Sequence, residues 1–240
     1  MPNPVFNQNV MEKERVLDAE PMTVNGAINK TFILFALLLT ASAFVWSAFF
    51  QGYADKATML MMVGLIGSII SFIAFMFSRN AVAAGAYALC EGLLLGGVSA
   101  FFEKSYPGIA IQAIGGTFAA LFSLLFLYRI GAIKCTEKFR SVVFMSTFSI
   151  LGIYIVNLIG SFFGMHVPQI MSSSNIGIGF SLIVVVIASL NLIIDFDFIE
   201  QGAQRMMPKN FEWYGAFGLM VTLVWLYIEI LNLLAKLRNR

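Results

Sequence analysis

Seven runs of apolar residues, each long enough to cross a bilayer, leave this chain little choice of environment. They fall at roughly 29–50, 57–78, 81–102, 108–130, 141–164, 175–198 and 213–236. A helix satisfies its own backbone groups in hydrocarbon, so each run is expected to cross as one. Charged residues make up only 12% of the 240. That is about half the share of a soluble domain and too little to coat a soluble particle of this size. The expected fold is all-α, a seven-helix transmembrane bundle. A three-plus-three-plus-one arrangement would place the last helix at its centre. Residues 1–28 form a polar tail of mixed charge, and 29–237 form the membrane domain. The tail is too long and too acidic for a signal peptide, so the first span is expected to be retained.

Basic residues set the orientation. With the N-terminus in the cytoplasm, the inner side holds Lys13, Arg15, Lys30, Arg79, Arg129, Lys134, Lys138, Arg140, Arg205 and Lys209. The outer loops hold only Lys56 and Lys104. Lys236, Arg238 and Arg240 then fall outside, against the rule, and a re-entrant last helix is the alternative.

Several chemistries lack their parts. The one histidine, His166, lies in an outer loop, so no zinc site or His-dependent intramembrane protease can be assembled. No lysine sits mid-span to anchor a Schiff base, and no Gly-rich phosphate loop or G-x-S-x-G elbow is present. A net charge of +2 gives no case for nucleic acid. Cys90 and Cys135 form no disulfide framework. Neither an enzyme nor a bound cofactor is expected.

Acids inside the spans are the informative positions, because a mid-bilayer charge costs about 2.5–3.5 kcal/mol even on the lenient insertion scale. Glu91, Asp195 and Glu229 qualify, with no basic residue deep in any span to neutralise them. They must be protonated, pair with one another, or hold a cation. The plainer reading is three neutral acids hydrogen-bonded between helices. Asn191 lies one turn before Asp195 and Asn232 one turn after Glu229, so each acid shares a polar stripe. Brought together, the two carboxylates would share one proton near neutral pH. Deprotonated, they would offer calcium a transient oxygen site. Helix lengths put the two acids about 10 Å apart in depth, which tilt would have to absorb. Asp197 and Glu200 are expected to be solvated. Gly92 and Gly96 form a G-x-x-x-G beside Glu91, first of all a close-packing device. Arg79, closing the second helix, is an interfacial anchor or a latch for an ionised acid.

These residues resemble a known family. The sixth span ends in Leu-Ile-Ile-Asp195-Phe and the seventh carries Leu-Tyr-Ile-Glu229-Ile-Leu-Asn232-Leu-Leu, similar to the Bax inhibitor-1 (transmembrane Bax inhibitor motif) family. Asn3-Pro4-Val5-Phe6-Asn7 and Trp213-Tyr214-Gly215 look like its mainly bacterial branch. The resemblance implies a last helix surrounded by the other six and a pH-gated calcium leak controlled by paired aspartates on the last two helices. Asp195 falls on the first aspartate, and Glu229 falls where the second is usual, with a longer side chain. Arg79 falls near a basic helix end that latches the closed state, and Glu91 replaces a small or polar position.

The leading expectation is a multi-pass protein of the bacterial inner membrane. In it, Asp195 and Glu229 sense protons and gate passive calcium flux, with Glu91, Asn191, Asn232 and Arg79 in support. Its partners would be the lipid bilayer, calcium ions and protons. The alternatives are a non-conducting membrane scaffold that regulates other proteins, and a proton-coupled carrier that uses the three acids as a relay.

Overall fold

A computed structural model describes residues 20–163 and 172–239. His166, Lys13, Arg15, Arg240 and the Asn3–Asn7 motif lie outside the described residues. Among these residues seven helices follow one another, named here α1 (Val24–Phe50), α2 (Ala54–Ser78), α3 (Ala81–Ser105), α4 (Ile109–Arg129), α5 (Glu137–Phe162), α6 (Asn175–Gln204) and α7 (Phe211–Arg238). All seven are long and apolar enough to cross a membrane. The shortest, at 21 residues, spans about 31 Å at 1.5 Å per residue, enough for a hydrocarbon core of about 30 Å.

The helix starts are written locally. Thr23, Asn80, Thr136 and Ser174 each precede a helix and accept from the backbone N–H three residues on, satisfying an otherwise orphaned donor. Gly108 starts α4 at φ +80°, and the Glu103 carboxylate accepts from the N–H groups of Gly108 and Ala110 at 2.6 and 3.1 Å. α1 begins at Val24, five residues before the apolar run, because Thr23 caps it there.

Seven crossings leave two faces. At the N-terminal face, the segment before α1 is strapped to the α6–α7 loop. The N–H of Met22 donates to the Met207 carbonyl at 2.7 Å, and that of Lys209 to the Glu20 carbonyl at 3.0 Å. Glu212 accepts from the Thr23 N–H at 2.8 Å and pairs with Lys30, so one carboxylate ties the start of α7 to the start of α1. At the opposite face, Arg238 donates to the Pro107 carbonyl at 2.8 Å and Lys236 to the Ser181 hydroxyl at 2.8 Å, docking the end of α7 on the α3–α4 turn and the start of α6.

Side chains of α7 reach all six other helices. Phe217 stacks on Phe75 of α2 at 3.9 Å and lies 4.9 Å from Tyr87 of α3. Tyr227 and Ser99 of α3 hydrogen-bond at 2.6 Å, and Ile230 lies against Gly116 of α4. Glu212 meets α1, Glu229 meets α5 and Gly218 meets α6. The last helix is central, as expected. α3 is as deeply buried along its span as α7, so the core has two inner helices. α5 is the least buried of the seven, and among the described residues its backbone approaches only α6.

The G-x-x-x-G sets the α1–α3 contact. A Cβ on Gly92 would collide with the Leu38 carbonyl, and one on Gly96 would sit 2.5 Å from that of Ser42. The Ser42 hydroxyl donates to the Gly92 carbonyl at 2.9 Å, a contact only such close approach permits.

Two outcomes follow. Gly92→Leu should lose about 1–3 kcal/mol in reversible unfolding from detergent. Gly152→Leu, where a Cβ meets nothing within 4 Å, should change little; equal losses would show that close approach is not what Gly92 provides. Eight of the ten basic residues assigned inward are described, and all lie within two turns of the N-terminal face. Single cysteines placed at Lys134 and Ser173, in a chain lacking Cys90 and Cys135, should therefore be labelled from outside at 173 but not at 134. The reverse pattern would invert the topology.

Candidate functional site

The α6–α7 contact is where the acids gather, and depth along the helices decides which of them meet. Asp195 lies nine residues before the end of α6, about 14 Å from the N-terminal face. Its Oδ1 lies 3.5 Å from where a Cβ on Gly218 would sit, and Thr222, one turn on, stands beside it. Its Oδ2 is closed off from solvent and has no hydrogen-bond partner. Glycine at 218 lets the carboxyl lie directly against α7, where a Cβ would meet it at ordinary van der Waals distance.

Glu229 stands at another level. Its Oε1 accepts from the Tyr154 hydroxyl on α5 at 2.8 Å and from the Trp225 indole N–H at 3.1 Å. Thr222 to Glu229 is seven residues and Gly218 to Glu229 is eleven, which places the two acids about 10–16 Å apart along α7. Leu223 and Leu226, packed with Ala188 and Leu192 of α6, fill the level between them. Asp195 and Glu229 are therefore not brought together, and the expectation of a directly paired site is corrected. The depth offset is absorbed by neither tilt nor helix length. On α7, Asp195 faces a glycine and a hydroxyl. Among the described residues, no three His, Cys, Asp or Glu side chains converge as metal ligands would. Asp195 and Glu229 do not share one calcium site.

The supporting residues separate in the same way. Asn191 turns from Asp195 and donates its amide to the Thr147 hydroxyl on α5 and to the Ile187 carbonyl, each at 2.9 Å. Asn232 is half-buried one turn beyond Glu229. Glu91 is 7% exposed, inside the bundle as expected, beside Ser68 of α2 and Tyr87 one turn back. Ala84, Ala88 and Leu95 continue its stripe into the core facing α7. Arg79 is exposed and stacks over Tyr214 at 5.7 Å, with its backbone left-handed at φ +50°. It ends α2, and among the described residues it pairs with no acid.

Three acids carry more structure than their sequence positions suggest. Asp197, expected to be solvated, is buried. Its Oδ2 accepts from Arg140 at 2.7 Å and from Gln201 at 2.6 Å, and the Tyr128 hydroxyl donates to its Oδ1 at 3.2 Å. Position 197 faces away from 195 as helical spacing requires, but α4 and α5 cover that face. Glu200 is exposed, yet Tyr128 also donates to it at 2.6 Å. Glu212 reads from sequence as an ordinary first-turn acid, and only the fold brings Thr23 and Lys30 to it. In the loop before α5, burial pushes the Cys135 thiol up, which disfavours the thiolate.

A family description, Bax inhibitor 1 like, matches residues 3–239, nearly the whole chain. The chain belongs to the Bax inhibitor-1-like family. Among individual curated proteins, no sequence matches it. Membership extends the resemblance in the last two spans to all seven. In this Bax inhibitor-1-like chain the two deep α6–α7 acids stand at separate levels.

Glu91→Gln should insert and unfold like the parent in detergent, because the amide keeps the hydrogen-bonding shape and no basic partner is lost. A large loss of stability would show that an ionised Glu91 is structurally required.

Proposed function

We propose that this Bax inhibitor-1-like protein is a pH-sensitive passive leak for calcium, with Asp195 alone as its proton sensor. The carrying observation is the Asp195 Oδ2, buried at the α6–α7 contact without a hydrogen-bond partner. Such packing tolerates a neutral carboxyl and penalises an ionised one. Parting α6 from α7 lets water reach the carboxylate and removes the penalty. Deprotonation therefore favours the open form, and by linkage the open form releases the proton more readily. Flux rises as pH rises. The groups against Asp195 on α7 are Gly218 and Thr222, and Asp197 on its own helix is taken up by Arg140 of α5.

In this reading the packed level of Leu223, Leu226, Ala188 and Leu192 is the closed barrier. Asp195 and Glu229 are successive oxygen stations below and above it, of the donor type a hard cation prefers. Calcium is cargo that passes, with no resident site. Family membership supports calcium as the ion. The protein acts by transport rather than catalysis, in a bacterial inner membrane with the N-terminal face toward the cytoplasm.

Flux into liposomes containing only this protein tests the proposal. The parent should pass more calcium at the higher of two pH values. Asp195→Asn, a permanent neutral mimic, should be low and flat with pH. Glu229→Gln should keep the pH response, because the amide oxygen still accepts from Tyr154 and Trp225. Equal flattening by both mutations would restore a coupled pair. Absence of flux at every pH would favour the non-conducting regulator. Dependence on an imposed proton gradient, rather than on pH itself, would favour the carrier.

A further inference from the structure

Among the described residues α5 approaches the bundle backbone only along α6, and near the N-terminal face the two helices border a cavity of about 290 Å3. Its polar lining is Arg140 at the start of α5, with Gln201 and Arg205 at the end of α6. Its apolar lining is Ile194, Phe198 and Met207. These residues are ordered by depth. Arg205 is the residue that ends α6, Phe198 lies about 10 Å further in and Ile194 about 16 Å. One side of the cavity is thus cationic at the level of lipid headgroups, and the other is apolar at the level of acyl chains.

The two arginines are not equivalent. Arg140 is charge-balanced: it bonds Asp197 at 2.7 Å and lies 3.6 Å from Glu137. Its Nε is nevertheless buried with no hydrogen-bond partner. Arg205 donates to the Gln201 amide oxygen at 3.1 Å, and no acid pairs with it among the described residues. The wall therefore offers one accessible, uncompensated guanidinium, Arg205, suited to phosphate oxygens, with the Arg140 charge beside it. A small water-soluble anion would leave the Ile194–Phe198 depth unused, and an uncharged lipid would leave Arg205 unmatched.

We propose that this α5–α6 cavity is a binding site for an anionic phospholipid of the leaflet at the N-terminal face. Arg205 takes the headgroup phosphate at the cavity mouth that Arg140 also lines, and an acyl chain runs along Phe198 and Ile194. The bound lipid bridges α5, the most loosely attached helix, to α6. This site is independent of the calcium reading, since it involves neither Asp195 nor Glu229.

The test titrates the purified full-length protein in uncharged detergent with dioctanoyl phosphatidylglycerol, dioctanoyl phosphatidylcholine or inorganic phosphate. Binding is read by native mass spectrometry and by the shift in thermal unfolding. Phosphatidylglycerol should bind saturably and at least about five-fold more tightly than phosphatidylcholine. Arg205→Gln removes an exposed guanidinium with one hydrogen bond, and should weaken phosphatidylglycerol about ten-fold while leaving phosphatidylcholine unchanged. Lys134→Gln removes the same charge from an exposed loop position on that face and should have no effect. Equal weakening by both substitutions would mean diffuse surface charge and would overturn the site. So would phosphatidylcholine binding as tightly, or displacement of the lipid by inorganic phosphate at comparable concentration. Should Arg205→Gln unfold, Gln201→Leu, which removes the oxygen that orients Arg205, takes its place with the same expected loss.

Discussion

Every other helix of this bundle makes side-chain contact with α7, and the polar side chains on α7 meet separate partners at successive depths. Glu212 ties its first turn to α1. Gly218 and Thr222 receive Asp195 from α6, Tyr227 meets Ser99 of α3, and Glu229 holds Tyr154 of α5. Between these levels the packing is apolar. In hydrocarbon no hydrophobic effect drives helices together, so close van der Waals packing and a few interhelical hydrogen bonds must do it. α7 supplies both. One consequence is that moving α6 relative to α7 at Asp195 need not disturb Glu229.

Much of this was legible in the sequence. Seven apolar runs fix seven helices because a spanning segment has no other way to satisfy its backbone. The starts were less legible, since Thr23 and Thr136 cap α1 and α5 ahead of their apolar runs. The deep acids stand out for the same energetic reason, and Glu91 is buried inside the bundle as its Gly-x-x-x-Gly neighbours imply. Pairing was not legible. Whether two acids meet depends on where each helix begins relative to the bilayer. α6 runs to Gln204 and α7 starts at Phe211, which fixes the offset of about 10–16 Å. The Arg140–Asp197 pair and the Glu212 clasp were hidden too. Each joins residues 57 or 182 positions apart, and only the tertiary fold chooses those partners.

The two faces of α6 play different parts. Toward α7 it presents Asp195, whose buried oxygen lacks a donor. Toward α5 it presents Asp197, which has three partners, Arg140, Gln201 and Tyr128. Two carboxylates two residues apart are thus assigned opposite roles by what covers them. A carboxylate with its hydrogen bonds complete holds structure, tying α6 to α4 and α5. A buried carboxyl with incomplete bonds leaves its packing sensitive to whether the proton is there.

That sensitivity rests on the claim that Asp195 is protonated whenever α6 and α7 are packed together. Infrared difference spectroscopy of the protein in lipid, stepped through pH, reads this directly. A carbonyl stretch from a protonated carboxyl, absent in Asp195→Asn, should be present at low pH and lost over the pH interval in which calcium flux appears. If Asp195 is already an ionised carboxylate throughout the low-flux range, a buried proton cannot be what keeps the helices together.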